Sequence, residues 1–263
     1  MSAGDVRRSK GLAKLDTYLR TEFASVEGWC LPSLWGIVSA CHDYQIRNGI
    51  DGPIAEIGVY QGKFFIGLAL LKPSDRPHYA IDVFDMQEFN LDGAGAGNLE
   101  RFEANVARSG IAPEQFRSHQ ADSMALNSVD IETIRRDAGP FSMFSVDGCH
   151  MVEHTINDLR IALELTHPGG IIFIDDYYNP HWPGVQEGIH KIYFNESPRF
   201  VPLLFTCNKL FLCHISRHAK YLHHVRVELK KNYPAWRIKT VPRFGYETLT
   251  VMTVMQGEFL LAY

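Results

Sequence analysis

The sequence has no run approaching the roughly 20 apolar residues that a membrane span needs. Its first thirty residues carry charges at regular intervals where a secretory leader would have an apolar core, so a soluble, cytoplasmic protein with no membrane partner is expected. Basic tracts are also missing: nothing exceeds Arg7-Arg8 or Lys230-Lys231, and 26 Lys and Arg stand against 30 Asp and Glu. Nucleic acid is therefore a poor partner. The five cysteines (Cys30, Cys41, Cys149, Cys207 and Cys213) are odd in number and contain no C-x-x-C pair, which argues against a zinc or redox site and for reduced thiols. Cys149 stands beside the strongest motif, but nothing around it marks an activated nucleophile. There is no internal repeat and no linker that would separate a second globular unit.

What the sequence does contain is rhythm. Leu12, Leu15, Leu19 and Phe23, then Leu34, Ile37, Val38 and Cys41, recur at helical spacing. From Pro53 the pattern changes to short apolar runs at 54–59, 78–84, 116–120, 141–147 and 170–176, separated by amphipathic stretches near 62–72, 98–109, 128–138, 152–167 and 184–195. Strands alternating with helices imply βαβ units and a parallel sheet. Gly110 and Gly169-Gly170 stand where helix C-caps belong. Two further runs, 200–206 and 210–214, are joined by Cys207-Asn208-Lys209 and read as a hairpin. A helix over about 216–231 and an edge strand at 248–255 follow. The expected fold is α/β, a doubly wound, mostly parallel seven-stranded sheet ending in an antiparallel hairpin, with N-terminal helical decoration. Its parts are a helical extension over 1–52, the main domain over 53–215, and a C-terminal helix and edge strand over 216–263 packed on that domain.

In such a sheet, ligands bind beyond the carboxyl ends of the strands, and those ends are acidic here. The first strand carries Glu56 and runs into Gly58-Val-Tyr-Gln-Gly62, two glycines that let the backbone turn tightly ahead of a helix N-terminus. Asp82 ends the second strand, where a carboxylate can accept both hydroxyls of a ribose; a helix cap or a surface charge is the ordinary alternative. A dehydrogenase would share these features, but Gly58-x-x-x-Gly62 lacks the G-x-G spacing and the third glycine. Gly93-x-Gly95-x-Gly97 does not supply them, because it follows Asn90-Leu91-Asp92 and no strand; it is either a loop over the site or a plain linker. Asp122 and Ser123 follow the third strand and can address an adenine amino group. Asp147, Asp175 and Asp176 end the fourth and fifth strands at one rim. Three carboxylates together repel unless compensated, and a hard divalent cation such as Mg²⁺ is the usual compensation; the alternative is that Asp176 caps a helix or faces solvent.

Taken in order, Glu56-x-Gly58-x-x-x-Gly62, Asp82, Gln120-Ala-Asp-Ser123, Ser145-Val-Asp147-Gly-x-His150 and Asp175-Asp176 with Trp182-Pro-Gly184 resemble a class I S-adenosylmethionine-dependent methyltransferase. Within that class the chain resembles the metal-dependent, macrocin-type O-methyltransferases that modify sugar hydroxyls in natural products, over roughly residues 53–214. The resemblance implies that Glu56, Gly58, Tyr60 and Gly62 line the methionine end of S-adenosylmethionine, Asp82 holds its ribose, and Asp122 and Ser123 edge its adenine. Asp147, Asp175 and Asp176 would hold Mg²⁺, with Asp147 also facing the cofactor and the chemistry.

Catechol-type relatives carry a lysine base three residues after the first metal aspartate, where this chain has His150. A histidine there suits a general base. His150 as a structural residue, and His181 as the base, are the alternatives. Tyr177, Tyr178 and Trp182, with Trp29 and Trp35, either wall a substrate pocket or belong to the core. The expected activity is Mg²⁺-dependent methyl transfer to a small-molecule hydroxyl, a natural-product sugar or polyol, with a homo-oligomer left open. A metal-dependent hydrolase or hydroxylase-like enzyme, and a non-catalytic nucleoside-binding protein, are the competing readings.

Overall fold

Apolar runs too short for helices become the strands of one sheet. The computed structural model describes residues 3–255 and 258–260. Two helices, α1 (Ala3–Thr21) and α2 (Leu34–Arg47), precede strand β1 (Ile54–Ile57). Then come α3 (Lys63–Leu71), β2 (His78–Asp82), α4 (Leu99–Arg108), β3 (Phe116–Gln120), α5 (Ser128–Ala138), β4 (Phe141–Val146), α6 (Val152–Leu165), β5 (Thr166–Ile174) and α7 (Pro183–Asn195). The remaining elements are β6 (Phe200–Thr206), β7 (Lys209–His214), α8 (His218–Asn232), β8 (Arg237–Arg243), β9 (Tyr246–Met255) and β10 (Glu258–Leu260). Among the described residues no helix is long and apolar enough to cross a membrane.

The strand order is β10-β9-β6-β7-β5-β4-β1-β2-β3, with β8 pairing β9. Strands β3 to β5 run parallel through β2, β1 and β4, while β7 enters antiparallel to both β5 and β6. The doubly wound plan, the antiparallel hairpin and the edge strand over 248–255 are as expected, but the sheet has ten strands where seven and that edge strand were read. The difference lies at the C-terminal edge. Residues 237–243 read Arg-Ile-Lys-Thr-Val-Pro-Arg, too polar for a strand signal, yet they pair along β9 because a Phe244-Gly245 turn in left-handed conformation folds them back.

Side chains alternate across the pleat. On β5, Ile171 and Phe173 face a core shared with α1, α2, α3, α4 and α8, whereas Ile172 and Ile174 face the core under α5, α6 and α7. Helix α3 is apolar all round and buried. There Gly67 lets Trp35 lie against the helix, since a Cβ would stand 2.1 Å from the indole. Trp35 is thus core and no pocket wall. Gly169 and Gly170 cap no helix: α6 stops at Leu165, and both glycines sit within β5, where its register against β4 shifts between Phe141 and Met143. A Cβ on Gly170 would meet Ser142 O at 2.9 Å.

Candidate active site at the carboxyl ends of the strands

The strand order reverses between β1 and β4, and the crevice at that point is where an open α/β sheet takes ligands. Backbone bonds latch the strand ends to one another there: Gly58 N–H donates to Ile81 O, Asp147 N–H to Ile57 O, and Asp175 N–H to Val146 O, at 2.8, 2.8 and 3.0 Å. Gly58, at φ 81, has no room for a side chain, because a Cβ would lie 1.9 Å from Asp147 O. Over these ends opens a cavity of about 660 Å³, within the usual range for small-molecule sites.

Of the expected cofactor residues, Gly58, Tyr60, Asp82, Asp122, Ser123 and Asp147 line this cavity; Glu56 and Gly62 do not. Gly62 starts α3 in left-handed conformation and packs against Phe102. Glu56 lies buried within the sheet, with Oε2 lacking a hydrogen-bond partner. Burial pushes its carboxyl up to about 8, against the pull of Lys209 and with help from Asp175 and Asp82. The folded state therefore holds a proton that an unfolded glutamate, near 4.5, releases. Stability relative to Glu56→Gln should be full below about pH 4.5 and be lost as pH rises through about 8. Denaturant titrations of both proteins at pH 5 and 9 check this; a constant difference would contradict it.

Asp82, expected to hold a ribose, lines the cavity with most of its acceptor positions already engaged. Its Oδ2 accepts the Val59 and Tyr60 N–H groups at 2.8 and 2.9 Å, and its Oδ1 accepts the Phe84 N–H at 2.6 Å. Burial raises its carboxyl while these three amides pull it back. Of about four acceptor positions on a carboxylate, one remains, so Asp82 first pins the glycine turn to β2 and does not offer two idle oxygens to a diol. Asp122 lines the cavity and caps its own turn, accepting from Met124 N–H at 2.9 Å. Tyr60 is held by the N-terminal segment: its hydroxyl donates to Glu27 at 2.7 Å, and its ring stacks on the exposed Trp29.

At the acidic rim, Asp147, His150 and Asp176 present ligand atoms within 4.8 Å of one another. Asp175 is drawn away by a residue missing from the expected set. The Lys209 ammonium is ion-paired to Asp175 and lies 3.8 Å from Asp147, with a side chain only 3% exposed. It is there because Cys207 and Asn208 form a two-residue turn, both left-handed, that points the start of β7 at the site. A lysine opening an otherwise apolar strand was the available signal. Asn208 Nδ2 and Asn179 Nδ2 donate to Asp176 Oδ1 at 2.6 and 2.8 Å. Burial and the facing Asp175 push the Asp147 carboxyl well up, although Lys209 draws it down.

His150 lies between two carboxylates, with Nδ1 2.6 Å from Asp92 and Nε2 3.0 Å from Asp176. Burial works against its charge, but both carboxylates outweigh burial and hold the imidazole up at about 9. Trp182 stacks on the ring at 4.4 Å. His181 is exposed and lies outside the cavity lining. Of the aromatic cluster, Trp182 and Trp29 line the cavity, while Tyr177 is core. Burial pushes the Cys149 thiol up to about 11, which makes it a poor nucleophile.

The model of a family described as a methyltransferase domain matches residues 55–177. No curated protein matches the chain. Solved structures of similar fold include the O-methyltransferase NovP, 16% identical over 68% of this chain and 78% of that one, with a TM-score of 0.54. CalS11, a TDP-rhamnose 3'-O-methyltransferase of calicheamicin biosynthesis, is 15% identical over 80% and 93% of the two chains, at 0.51. An O-methyltransferase from Bacillus cereus, in complex with SAH, is 16% identical over 76% and 89%, at 0.50. Residues 55–177 thus match a methyltransferase-domain family, and the chain shares the Rossmann-like α/β fold of these O-methyltransferase structures.

Proposed function

We propose that the protein transfers the methyl group of S-adenosylmethionine to a hydroxyl of a small molecule, a natural-product sugar or polyol, with a divalent cation such as Mg²⁺ at the acidic rim. The observation that carries this reading is the cavity itself: the glycine turn after β1 and the cluster of Asp147, His150 and Asp176 after β4 and β5 open into one space. The methyltransferase family match and the O-methyltransferase structures support it.

The residues fit both groups. Asp147 carries more negative surroundings than Lys209 offsets, and two carboxylates with an imidazole suit Mg²⁺ or Mn²⁺. Asp147 and Asp176 would hold the ion, with His150 beside them, while Asp175 stays with Lys209. A bound cation would stabilise the developing alkoxide of the acceptor. The turn at Gly58 to Tyr60, with Asp82 behind it and Asp122 and Ser123 beyond, would orient the sulfonium, so alignment supplies much of the rate. His150 Nε2 receives the hydroxyl proton. Asp92 and Asp176 together favour the imidazolium form of the ring, so it becomes a base once Asp176 is engaged elsewhere.

The test is methyl transfer from labelled S-adenosylmethionine to a panel of aryl glycosides, free polyols and nucleotide sugars, with and without EDTA. Turnover is expected on at least one hydroxyl compound and should be abolished by the chelator and by Asp176→Ala. Full activity in EDTA would refute the metal-dependent reading. Transfer to nitrogen or carbon acceptors alone would refute O-methylation.

A further inference from the structure

Asp92 opens the glycine run, yet its side chain is only 6% exposed. Its Oδ2 accepts the His150 backbone N–H at 2.7 Å and lies 2.6 Å from His150 Nδ1, while its Oδ1 accepts the Ala94 N–H at 2.9 Å. The glycines make this possible. Gly93 and Gly95 adopt left-handed φ values of 69° and 67°, which side-chain-bearing residues rarely take, and Asn90 Nδ2 closes the loop by donating to Gly95 O at 2.7 Å. Gly97 then passes close to the end of β2, where a Cβ would stand 3.2 Å from Asp82 Oδ1. Residues 90–97 are therefore neither a plain linker nor an undirected flap; they bring one carboxylate onto a ring that belongs to the loop after β4.

That ring is fixed twice. Trp182 sets its plane by stacking at 15°, and Asp92 sets its rotation by taking Nδ1. Nε2 is the nitrogen left to face Asp147 and Asp176 across the cavity. A neutral imidazole carries one proton; the closer carboxylate, 2.6 Å at Nδ1 against 3.0 Å at Nε2, keeps it on Nδ1, leaving the Nε2 lone pair to accept a proton or approach a cation once Asp176 is engaged elsewhere.

We propose that Asp92 is a positioning residue for methyl transfer, carried by the glycine loop, that holds the neutral His150 ring in its Nδ1–H form and so aims the Nε2 lone pair at the acceptor. The catalytic consequence rests on the methyltransferase reading; the tautomer does not. The experiment takes the full chain with ¹⁵N-labelled histidine and records long-range ¹H–¹⁵N spectra at a pH where the ring is neutral. Wild type should show the proton on Nδ1. Asp92→Asn, whose amide can donate to Nδ1, should move it to Nε2, and Asp92→Glu should keep it on Nδ1.

On the fastest acceptor of the panel, Asp92→Asn should lower kcat about 10²- to 10⁴-fold, the usual contribution of a general base. The acceptor KM and the calorimetric affinity for S-adenosylmethionine should stay within about threefold, and Asp92→Glu should recover part of kcat. If Asp92→Asn does not fold, Asp92→Ala is read in the same way, with loss of the single Nδ1–H form expected. An unchanged tautomer, or an unchanged kcat in a folded variant, overturns the proposal. A wild type that binds no S-adenosylmethionine refutes the methyltransferase reading and leaves the tautomer to decide the role of Asp92.

Discussion

Lys209→Met is expected to destabilise the protein by about 3–5 kcal/mol, the cost of stripping one partner from a buried ion pair. Among the described residues, the ammonium is the only lysine or arginine lining the cavity. It lies against Asp175 and 3.8 Å from Asp147, and the Phe64 ring is a third neighbour at 4.7 Å. Burial alone would drive its pKa down, yet Asp175 and Asp147 hold it raised, so the charge is present at neutral pH. Without it, Asp175, Asp147 and the buried Glu56 lose the ammonium that offsets them. Adding Asp175→Asn should recover most of the loss, because contacting charges are not additive. Mg²⁺ should also raise the melting temperature of Lys209→Met more than that of wild type, since the ion would take over part of the compensation. Denaturant unfolding of the single and double variants measures this. A single variant within about 1 kcal/mol of wild type would remove Lys209 from the electrostatics of the site.

Asp82→Ala is expected to weaken S-adenosylmethionine binding by about 100-fold or more. Hydrogen bonds to a charged group contribute about 1.5–3 kcal/mol each, and this carboxylate accepts two from the glycine turn itself and one from Phe84. The loss acts through the turn, which is no longer pinned to β2, as well as through any contact with the ribose. Asp82→Asn separates the two: one amide oxygen can keep accepting from the turn but cannot serve all three N–H groups, so it should fall between wild type and Asp82→Ala. Calorimetry on folded variants gives the ranking, and an Asp82→Ala protein with wild-type affinity would contradict it.

Legibility followed the range of the interactions. The parallel strands and the β6–β7 hairpin were readable because a buried strand must be apolar along its length, whatever it pairs with. The acidic strand ends were readable because topology places all of them at one rim, and Asp147 and Asp176 do converge with His150. Strand β8 was not, since it is an exposed ribbon whose place is set by its turn and partner rather than by hydrophobic pattern. Gly169 and Gly170 mimic a helix C-cap, and only the register shift against β4 reveals their use. What stayed hidden at the site were pairings across the fold. Asp92 meets His150 58 residues later, Lys209 meets Asp175 from a strand 34 residues on, and Asp82 spends its oxygens on backbone amides that carry no side-chain signal.

The most direct measurement is calorimetric titration of the wild-type chain with S-adenosylmethionine, with and without Mg²⁺. Saturable one-to-one binding, competed by the demethylated product and weakened in Asp82→Ala, is the expected result; the absence of binding heat at any attainable concentration, with the protein folded, would contradict a methyltransferase.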